Sequence, residues 1–204
     1  MATRIVVATR NPGKVVELAR LVARPGIELV AVEALDGSMP DVIEDAASFE
    51  GNATKKAREV AAYFGTIALG DDSGLEVDAL GGAPGIHSAR WSGGGAKANV
   101  EKLLRDLEPV DDANRSARFR CVLALVDPRE GADVLLVSGA CEGRIARAPR
   151  GAHGFGYDPV FVPLACDGRT MAELGDEEKD AVSHRGLACR ELASQLDAWL
   201  RARA

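Results

Sequence analysis

The 204-residue sequence is poor in aromatic residues and cysteines and has no long apolar run. Its longest uninterrupted apolar stretch, residues 121–126, is six residues, whereas a membrane-spanning helix needs about 20. The apolar part of the N-terminus is too short for a signal peptide. The sequence therefore predicts a cytoplasmic protein with no membrane association.

The four cysteines form no Cys-x-x-Cys pair, which argues against a zinc site. We expect them to be small buried side chains in a reducing compartment. Basic charge is also scarce, since 25 Lys and Arg face 31 Asp and Glu, for a net charge of −6. Nucleic-acid binding needs a basic surface, so we expect none.

The remaining composition, with 47% apolar and 27% charged residues, is typical of a folded globular protein and excludes a disordered chain. Repeats, low-complexity tracts and an interdomain linker are absent from the sequence. The length suits one domain, so we predict a single domain over residues 1–204.

Hydrophobic periodicity predicts an α/β fold with a mixed sheet. Apolar runs at 5–8, 27–32 and 66–69 indicate strands, and i, i+3, i+4 spacing predicts helices after Lys14, over 53–64 and over 97–107. We next predict a hairpin of 118–126 with 133–137, a separate strand at 142–145 and a glycine-rich loop over 149–159. A last helix, capped by Ser183, presents one side carrying Leu187, Leu192, Leu196, Trp199 and Arg203.

Residues 9–14 form a predicted strand–turn–helix segment, a geometry that offers backbone N–H groups to an anion. Asn11 and Lys14 add a side-chain donor and a cation. Gly13-Lys14 is similar to the end of a P-loop, but Ala8 and Val15 replace the required Gly and Ser or Thr. Phosphate binding and an ordinary solvated turn both stay open.

Asp71-Asp72-Ser73-Gly74 places two adjacent carboxylates, which we expect at the end of a short strand. Carboxylates of this kind can hold Mg²⁺ together with substrate phosphates, and Glu44 is a plausible second ligand. The alternative is a solvated acidic turn.

Phe155-Gly156-Tyr157-Asp158 brings two aromatic rings around a glycine and could stack on a base, since stacking is worth about 1–3 kcal/mol. The alternative is a buried aromatic pair that anchors the loop. Lys179 and Ser183-His184-Arg185-Gly186, which we place at the start of the last helix, could bind phosphate or a keto oxygen. A polar helix cap is the alternative.

Together these segments resemble the inosine triphosphate pyrophosphatase family, the dITP/XTP pyrophosphatases, over nearly the whole chain. Five motifs occur in the family order: Thr9-x-Asn11-x-x-Lys14; Ser48-Phe49-x-x-Asn52-Ala53-x-x-Lys56-Ala57; Asp71-Asp72-Ser73-Gly74-Leu75-Glu76-Val77 with Gly81-Gly82-Ala83-Pro84-Gly85 and Ser88-Ala89-Arg90; Gly154-Phe155-Gly156-Tyr157-Asp158-Pro159; and Glu178-Lys179 with Ser183-His184-Arg185-Gly186.

The chain departs from the commonest family pattern at a few positions. Gly51 stands where Glu is frequent, His87 and Trp91 where Tyr is frequent, and Asp180 where Asn is common. These departures leave the preference among purines open. The variable acidic segment also leaves open whether Glu44, Asp41 or Asp45 matches the family's glutamate.

The resemblance implies hydrolysis of ITP, dITP and XTP to the monophosphate and pyrophosphate, with Mg²⁺ as cofactor, in a homodimer. It also implies a two-lobed α/β fold, in which helices flank a long mixed sheet and the active site lies in the cleft between the lobes.

Carried over by motif, the resemblance implies that Asp72 is the proton acceptor and that Asp72 and Glu44 bind Mg²⁺. From the residues alone, either Asp71 or Asp72 could accept the proton of the attacking water. The residues that it implies for substrate binding are Thr9, Arg10, Asn11, Pro12, Gly13, Lys14, Lys56, Ser73, Phe155, Gly156, Tyr157, Asp158, Lys179, His184 and Arg185.

Three other functions stay open. A Maf-like pyrophosphatase would act on other modified nucleotides, in particular pyrimidines. A P-loop kinase or ATPase would release phosphate rather than pyrophosphate. A nucleotide-sensing module would bind ITP without turnover.

Overall fold

The computed structural model describes residues 2–35, 41–129 and 133–203. The strands are β1 (Thr3–Ala8), β2 (Ile27–Ala31), β3 (Ala68–Val77), β4 (Ser116–Val126), β5 (Val134–Ile145) and β6 (Phe161–Pro163). The helices are α1 (Pro12–Val22), α2 (Phe49–Phe64), α3 (Gly95–Asp106), α4 (Asp176–Val182) and α5 (His184–Arg201).

The six strands form one sheet in the order β2-β1-β3-β4-β5-β6. β1 pairs in parallel with both β2 and β3, whereas β5 and β6 are antiparallel. The predicted α/β class with a mixed sheet is therefore confirmed. No helix within the described ranges is long and apolar enough to cross a membrane.

Most predicted elements are present, and local capping explains their ends. The Ser48 hydroxyl accepts the Gly51 N–H at the start of α2, and Gly65, with φ of +62°, ends that helix in the left-handed conformation. Ser183 caps α5 as predicted, because its hydroxyl accepts the Gly186 N–H at 3.0 Å.

Three predictions about these elements are wrong. The acidic pair does not end a short strand, because β3 continues through it to Val77. Residues 142–145 are not a separate strand but the end of β5. Lys179 lies not at the start of the last helix but in a separate helix, α4, that ends before Ser183. The predicted turn between β4 and β5 includes residues 130–132, which lie outside the described residues.

The residues predicted to share one side of the last helix differ in burial. Leu192, Leu196 and Trp199 are buried, but Leu187 is 36% exposed. Arg203 lies beyond the end of α5, where its guanidinium stacks 3.9 Å from the centroid of the Trp199 ring.

The chain forms two compact units, each built from separate stretches. Unit 1 comprises Met1–Asp72, Cys121–Gly139 and Ala188–Ala204. Its core includes apolar side chains of β1, α1, β3, β4 and α5, among them Val7, Leu18, Leu69, Cys121 and Leu192. β1 has parallel neighbours on both sides, which explains the continuous apolar run in its sequence.

Helix α2 approaches β3 backbone to backbone at Gly70. A Cβ at that position would lie 2.2 Å from the Ala53 carbonyl oxygen and 3.0 Å from the Ala57 nitrogen. Only glycine permits this contact, which places the α2 side chains beside the residue that follows on the same strand face, Asp72.

Unit 2 comprises Ser73–Arg120 and Ala140–Leu187. Its core includes Leu75, Leu103, Phe119, Tyr157 and Phe161. Three of the cysteines are buried and Cys166 is half-buried, and no disulfide joins them in the part of the chain that the structure describes.

A buried arginine organises unit 2. Arg115 is 2% exposed and donates three hydrogen bonds to main-chain carbonyls: Nε to Ile145 at 2.9 Å, Nη1 to Leu107 at 2.6 Å and Nη2 to Ala146 at 3.0 Å. The guanidinium thus joins the residue after α3 to the end of β5, from which the glycine-rich loop departs. Burial lowers its pKa from the usual value.

We predict that Arg115→Met lowers the free energy of unfolding by about 3 kcal/mol, because it removes the side-chain donor from three main-chain carbonyls, of which Leu107 keeps a second donor, the Val110 N–H. Urea titration measures this loss. The matched control is Arg144→Met on the exposed face of β5, which should change stability by less than about 0.5 kcal/mol. Equal effects of the two variants would contradict the role assigned to Arg115.

Candidate active site

The acidic pair on β3 is buried within the strand rather than solvated. Successive side chains of a strand point to opposite faces, so Asp71 and Asp72 contact different helices. Asp71 is fully buried and accepts a hydrogen bond from Lys14 of α1 at 2.5 Å. Asp72 is 5% exposed and contacts Lys56 and Asn52 of α2. The alternative of a solvated acidic turn is therefore wrong.

Lys56 joins the two predicted metal ligands. Its Nζ lies 2.9 Å from Asp72 Oδ1 and 2.7 Å from Glu44 Oε1, so both carboxylates face one point. Buried Asn52 supports this arrangement, because its amide donates to Asp72 Oδ2 at 3.3 Å and accepts the Ala46 N–H at 3.0 Å.

The other candidates of the acidic segment lie elsewhere. Asp41 is exposed and pairs with Arg10 at 3.3 Å, and exposed Asp45 pairs with Lys55 at 2.6 Å. The structure therefore brings Glu44, rather than Asp41 or Asp45, to Asp72.

Burial and pairing act against each other in this cluster. Burial raises the pKa of Asp72 above its usual value, although Lys56 and Lys14 oppose the shift. Burial alone would lower the pKa of Lys56, but the attraction of Asp72 and Glu44 outweighs it and raises that pKa. Lys56 consequently stays charged, while Asp72 is shifted in the direction that suits a proton acceptor.

Residues 9–14 form the start of α1, as predicted, but Asn11 has a local task. Its Oδ1 accepts the Gly13 and Lys14 N–H groups at 3.0 and 3.4 Å and so caps the helix. Thr9 in turn accepts the Asn11 N–H through its hydroxyl at 3.2 Å. Three N–H groups of this segment, those of Asn11, Gly13 and Lys14, are thus already bonded, and Pro12 has none. The side chains of Arg10 and Lys14 are therefore the main groups that this segment can offer to a phosphate.

In unit 2 the glycine-rich loop is held by a buried ion pair. Asp158 Oδ2 accepts Lys179 Nζ at 2.6 Å and the Phe155 N–H at 2.9 Å. Gly154, with φ of +73°, lies directly against this pair, since a Cβ there would be 2.1 Å from Asp158 Oδ2. Asp158 and Lys179 thus shape the loop as well as contributing charge.

The two aromatic residues of this loop differ. Tyr157 is buried in the core of unit 2, and its hydroxyl donates to the Ser88 carbonyl at 3.0 Å, so it matches the loop-anchoring alternative. Phe155 is half-buried, with Lys179 Nζ 5.0 Å and Arg185 Cζ 5.8 Å from its ring centroid. Phe155 is therefore the ring suited to stacking on a base.

The start of α5 brings three more predicted residues into unit 2. Arg185 is buried and donates from Nη2 to the Ser73 hydroxyl at 2.9 Å. The His184 imidazole stacks on Phe119, with centroids 4.7 Å apart and ring planes 13° apart. Gly186 is required here, because a Cβ would lie 1.9 Å from the Asp180 carbonyl oxygen.

The predicted residues thus fall into two groups. Thr9, Arg10, Asn11, Pro12, Gly13, Lys14, Glu44, Lys56 and Asp72 belong to unit 1. Ser73, Phe155, Gly156, Tyr157, Asp158, Lys179, His184 and Arg185 belong to unit 2, and the division of the chain falls at the Asp72–Ser73 peptide bond within β3. Sequence reasoning assigned no individual role to Asn52, Ser88 and Phe119, which take part in these contacts. Asn52 and Ser88 had a signal, their places in the second and third motifs, and Phe119 had none.

The model of the Ham1 family matches residues 5–195. The chain belongs to the Ham1 family. The resemblance seen in the five motifs is therefore confirmed.

Curated Ham1-family relatives cover nearly the whole chain. A dITP/XTP pyrophosphatase of Anaeromyxobacter sp. strain Fw109-5 is 47% identical, over 95% of this chain and 96% of the relative. One from Oceanobacillus iheyensis is 43% identical, over 97% and 98%.

Solved structures agree. The chain is similar to a HAM1 protein from Coxiella burnetii, with a TM-score of 0.85 and 40% identity over 96% of this chain and 99% of that one. It is also similar to a nucleoside-triphosphatase, dITP/XTP pyrophosphatase, from Mycobacterium abscessus, with a TM-score of 0.74 and 47% identity over 95% and 99%.

We predict that Gly154→Ala in this Ham1-family chain lowers the melting temperature by several degrees, because the new methyl group would displace the Asp158–Lys179 pair. Thermal unfolding measures the shift. Gly156→Ala is the matched control, since its φ is also positive, at +62°, but nothing lies within 4 Å of the added Cβ. A larger loss in the control would contradict the packing argument.

Proposed function

We propose that this chain hydrolyses deaminated purine nucleoside triphosphates, namely dITP, ITP and XTP, to the nucleoside monophosphate and pyrophosphate. The observation that carries the proposal is near-full-length identity of 43–50% to curated dITP/XTP pyrophosphatases. Such an enzyme removes deaminated bases from the nucleotide pool before they enter DNA or RNA.

In the proposed reaction, water attacks the α-phosphorus and the bond from that phosphorus to the α,β-bridging oxygen breaks. The products are the monophosphate and pyrophosphate, and a proton of the attacking water passes to a proton-accepting side chain of the protein. Phosphoryl transfer of this kind depends on positioning and charge neutralisation more than on covalent help from the protein.

Asp72 is the proposed proton acceptor. It is only slightly exposed, its pKa is raised, and Asn52 and Lys56 hold its two oxygens. Lys14 and Lys56 are the cations of unit 1 proposed to neutralise the departing pyrophosphate, and Lys179 is the cation proposed in unit 2.

Glu44 and Asp72 suit a Mg²⁺ ion. In residues 2–35, 41–129 and 133–203, no group of three or more His, Cys, Asp or Glu side chains is arranged to hold a metal. Mg²⁺, however, is commonly bound by one or two carboxylates together with waters and substrate phosphates. The two carboxylates already share a cation, the Lys56 ammonium. When bound, Mg²⁺ would neutralise phosphate charge and acidify a water.

We propose that Phe155 stacks on the base and that His184 and Arg185 supply donors to it. Hypoxanthine and xanthine carry an acceptor oxygen at position 6, whereas adenine carries an amino group there. Donors that pair with the oxygen would face another donor in adenine, which disfavours ATP.

On the family resemblance we also propose that the enzyme is a cytoplasmic homodimer with a single domain over residues 1–204. The Maf-like alternative is not favoured, because the relatives are named dITP/XTP pyrophosphatases. The P-loop alternative is disfavoured by Val15 in place of a Ser or Thr hydroxyl.

We predict that, in the presence of Mg²⁺, the chain releases pyrophosphate from ITP, dITP and XTP at least about tenfold more efficiently than from ATP, since unpaired donors penalise adenine. A panel that adds UTP and dTTP, read by pyrophosphate detection with and without Mg²⁺, measures this. Preference for a pyrimidine would indicate a Maf-like activity. Binding of ITP without product would indicate a sensor, and either result would overturn the proposed function.

We further predict that Asp72→Asn lowers the single-turnover rate with ITP at least about 100-fold, because the variant lacks the proton acceptor. Asp45→Asn is the matched control: Asp45 lies in the same acidic segment but is exposed and pairs with Lys55. The control should retain wild-type rates. Near-normal turnover of Asp72→Asn would reject the role of Asp72.

A further inference from the structure

Asp71, the neighbour of Asp72 on β3, has no role in the proposed reaction, although its carboxyl group is fully buried and contacts the Lys14 ammonium. We propose that Asp71 is a positioning residue that fixes the Lys14 ammonium for the pyrophosphate part of the substrate, and that the Cys121 thiol holds Asp71 in place. This inference deepens the proposed function and rests on Lys14 binding the polyphosphate.

Strand geometry separates the tasks of the two aspartates. Residues 69 and 71 point to one face of β3, and residues 70 and 72 to the other. Leu69 packs in the unit 1 core with Leu18 of α1 and Cys121 of β4, so Asp71 extends that face toward α1 and β4. Gly70 and Asp72 face α2. One acidic pair therefore serves two helices.

The contact with Lys14 is short and largely shielded. Its Nζ lies 2.5 Å from Asp71 Oδ1, and the two side chains are 14% and 0% exposed. A lysine side chain has four flexible carbons, and ordering it is entropically unfavourable, so an ammonium without such a partner would sample many positions. Pairing with a buried carboxylate restricts the ammonium before substrate arrives and leaves its small exposed part available to an anion.

The second oxygen of Asp71 is held from β4. Cys121 Sγ, itself fully buried, donates to Asp71 Oδ2 at 3.5 Å. The thiol therefore orients the carboxylate, and the carboxylate orients the ammonium. Because Asp71 is inaccessible to solvent, whereas Asp72 is slightly exposed, Asp71 acts through Lys14 and does not itself accept the proton of the attacking water.

The test compares two ligands in the presence of Mg²⁺: an ITP analogue with an imido group in place of the α,β-bridging oxygen, and IMP, which lacks the pyrophosphate part. For Asp71→Asn we expect affinity for the analogue to fall about tenfold, since a misplaced charge no longer meets the phosphates. Affinity for IMP should stay within about twofold. Calorimetry measures both, and equal losses for the two ligands would overturn the proposal.

A double-mutant cycle decides whether Asp71 acts through Lys14. Lys14→Met should also lower the affinity for the analogue. The double variant Lys14→Met/Asp71→Asn should bind the analogue no more weakly than Lys14→Met alone. An additional loss in the double variant would show that Asp71 acts by another route. Unchanged analogue affinity in Asp71→Asn would equally contradict the positioning role.

Cys121 provides a second pair of variants that preserves both charges. Cys121→Ser keeps a donor and should retain affinity for the analogue. Cys121→Val, of similar size, removes the donor, so affinity for the analogue should fall about threefold while affinity for IMP stays unchanged. The same cycle with Lys14→Met applies if Asp71→Asn does not fold. Equal behaviour of the two Cys121 variants would overturn the role of the thiol.

These outcomes are separable from failure of the proposed function. If the wild-type chain binds the analogue but releases no pyrophosphate from ITP, the proposed reaction is wrong while the Asp71–Lys14 coupling is still measured. If ITP is hydrolysed but the cycle shows no coupling, only the positioning role is wrong.

Discussion

Two buried carboxylates on one strand constrain where helices α1 and α2 lie in unit 1. A carboxylate removed from water must be paired and hydrogen-bonded, because its desolvation is otherwise far more unfavourable than folding can offset. Asp71 and Asp72 meet this requirement on opposite faces of β3, through Lys14 of α1 and Lys56 of α2. Both helices are therefore held at defined positions relative to the strand by the groups proposed to act on the substrate.

The same requirement explains why the acidic cluster suits chemistry. Glu44 and Asp72 converge on a single ammonium, so two negative charges are held together by one positive charge. Removing one partner of such a cluster leaves a buried charge uncompensated. A cation that enters the cluster adds positive charge to it, and a phosphate adds negative charge. Gly70 allows α2 to come close enough for these contacts. The turn of α2 that packs on Gly70 therefore also carries Lys56, which pairs with Asp72.

Unit 2 follows a similar principle with different groups. Asp158 and Lys179 form a buried pair that closes the glycine-rich loop, and Arg115 satisfies carbonyls at the end of the strand from which that loop departs. The Asp158–Lys179 pair holds the loop that carries Phe155. Arg185, at the start of α5, is itself buried and bonded to the Ser73 hydroxyl. The sequence has few aromatic residues, and Tyr157 of this loop is used for packing and for a hydrogen bond to the Ser88 carbonyl. Phe155 is therefore the aromatic ring of the loop that suits stacking.

Local signals in the sequence were sufficient for most of the helices, for the strands with apolar runs, and for the motifs that place this chain in the Ham1 family. Apolar spacing, Ser48, Gly65 and Ser183 act within a few residues of chain, so their effects can be recognised without a fold. The same reasoning failed at Asp71-Asp72-Ser73-Gly74, whose composition is that of a turn. Only the tertiary structure decided that β3 passes through this segment, that Glu44 rather than Asp41 or Asp45 meets Asp72, and that Asp71 faces Cys121. Each of these depends on partners 12 to 57 residues away along the chain, and the pairing of buried charges over such separations overrides local preference.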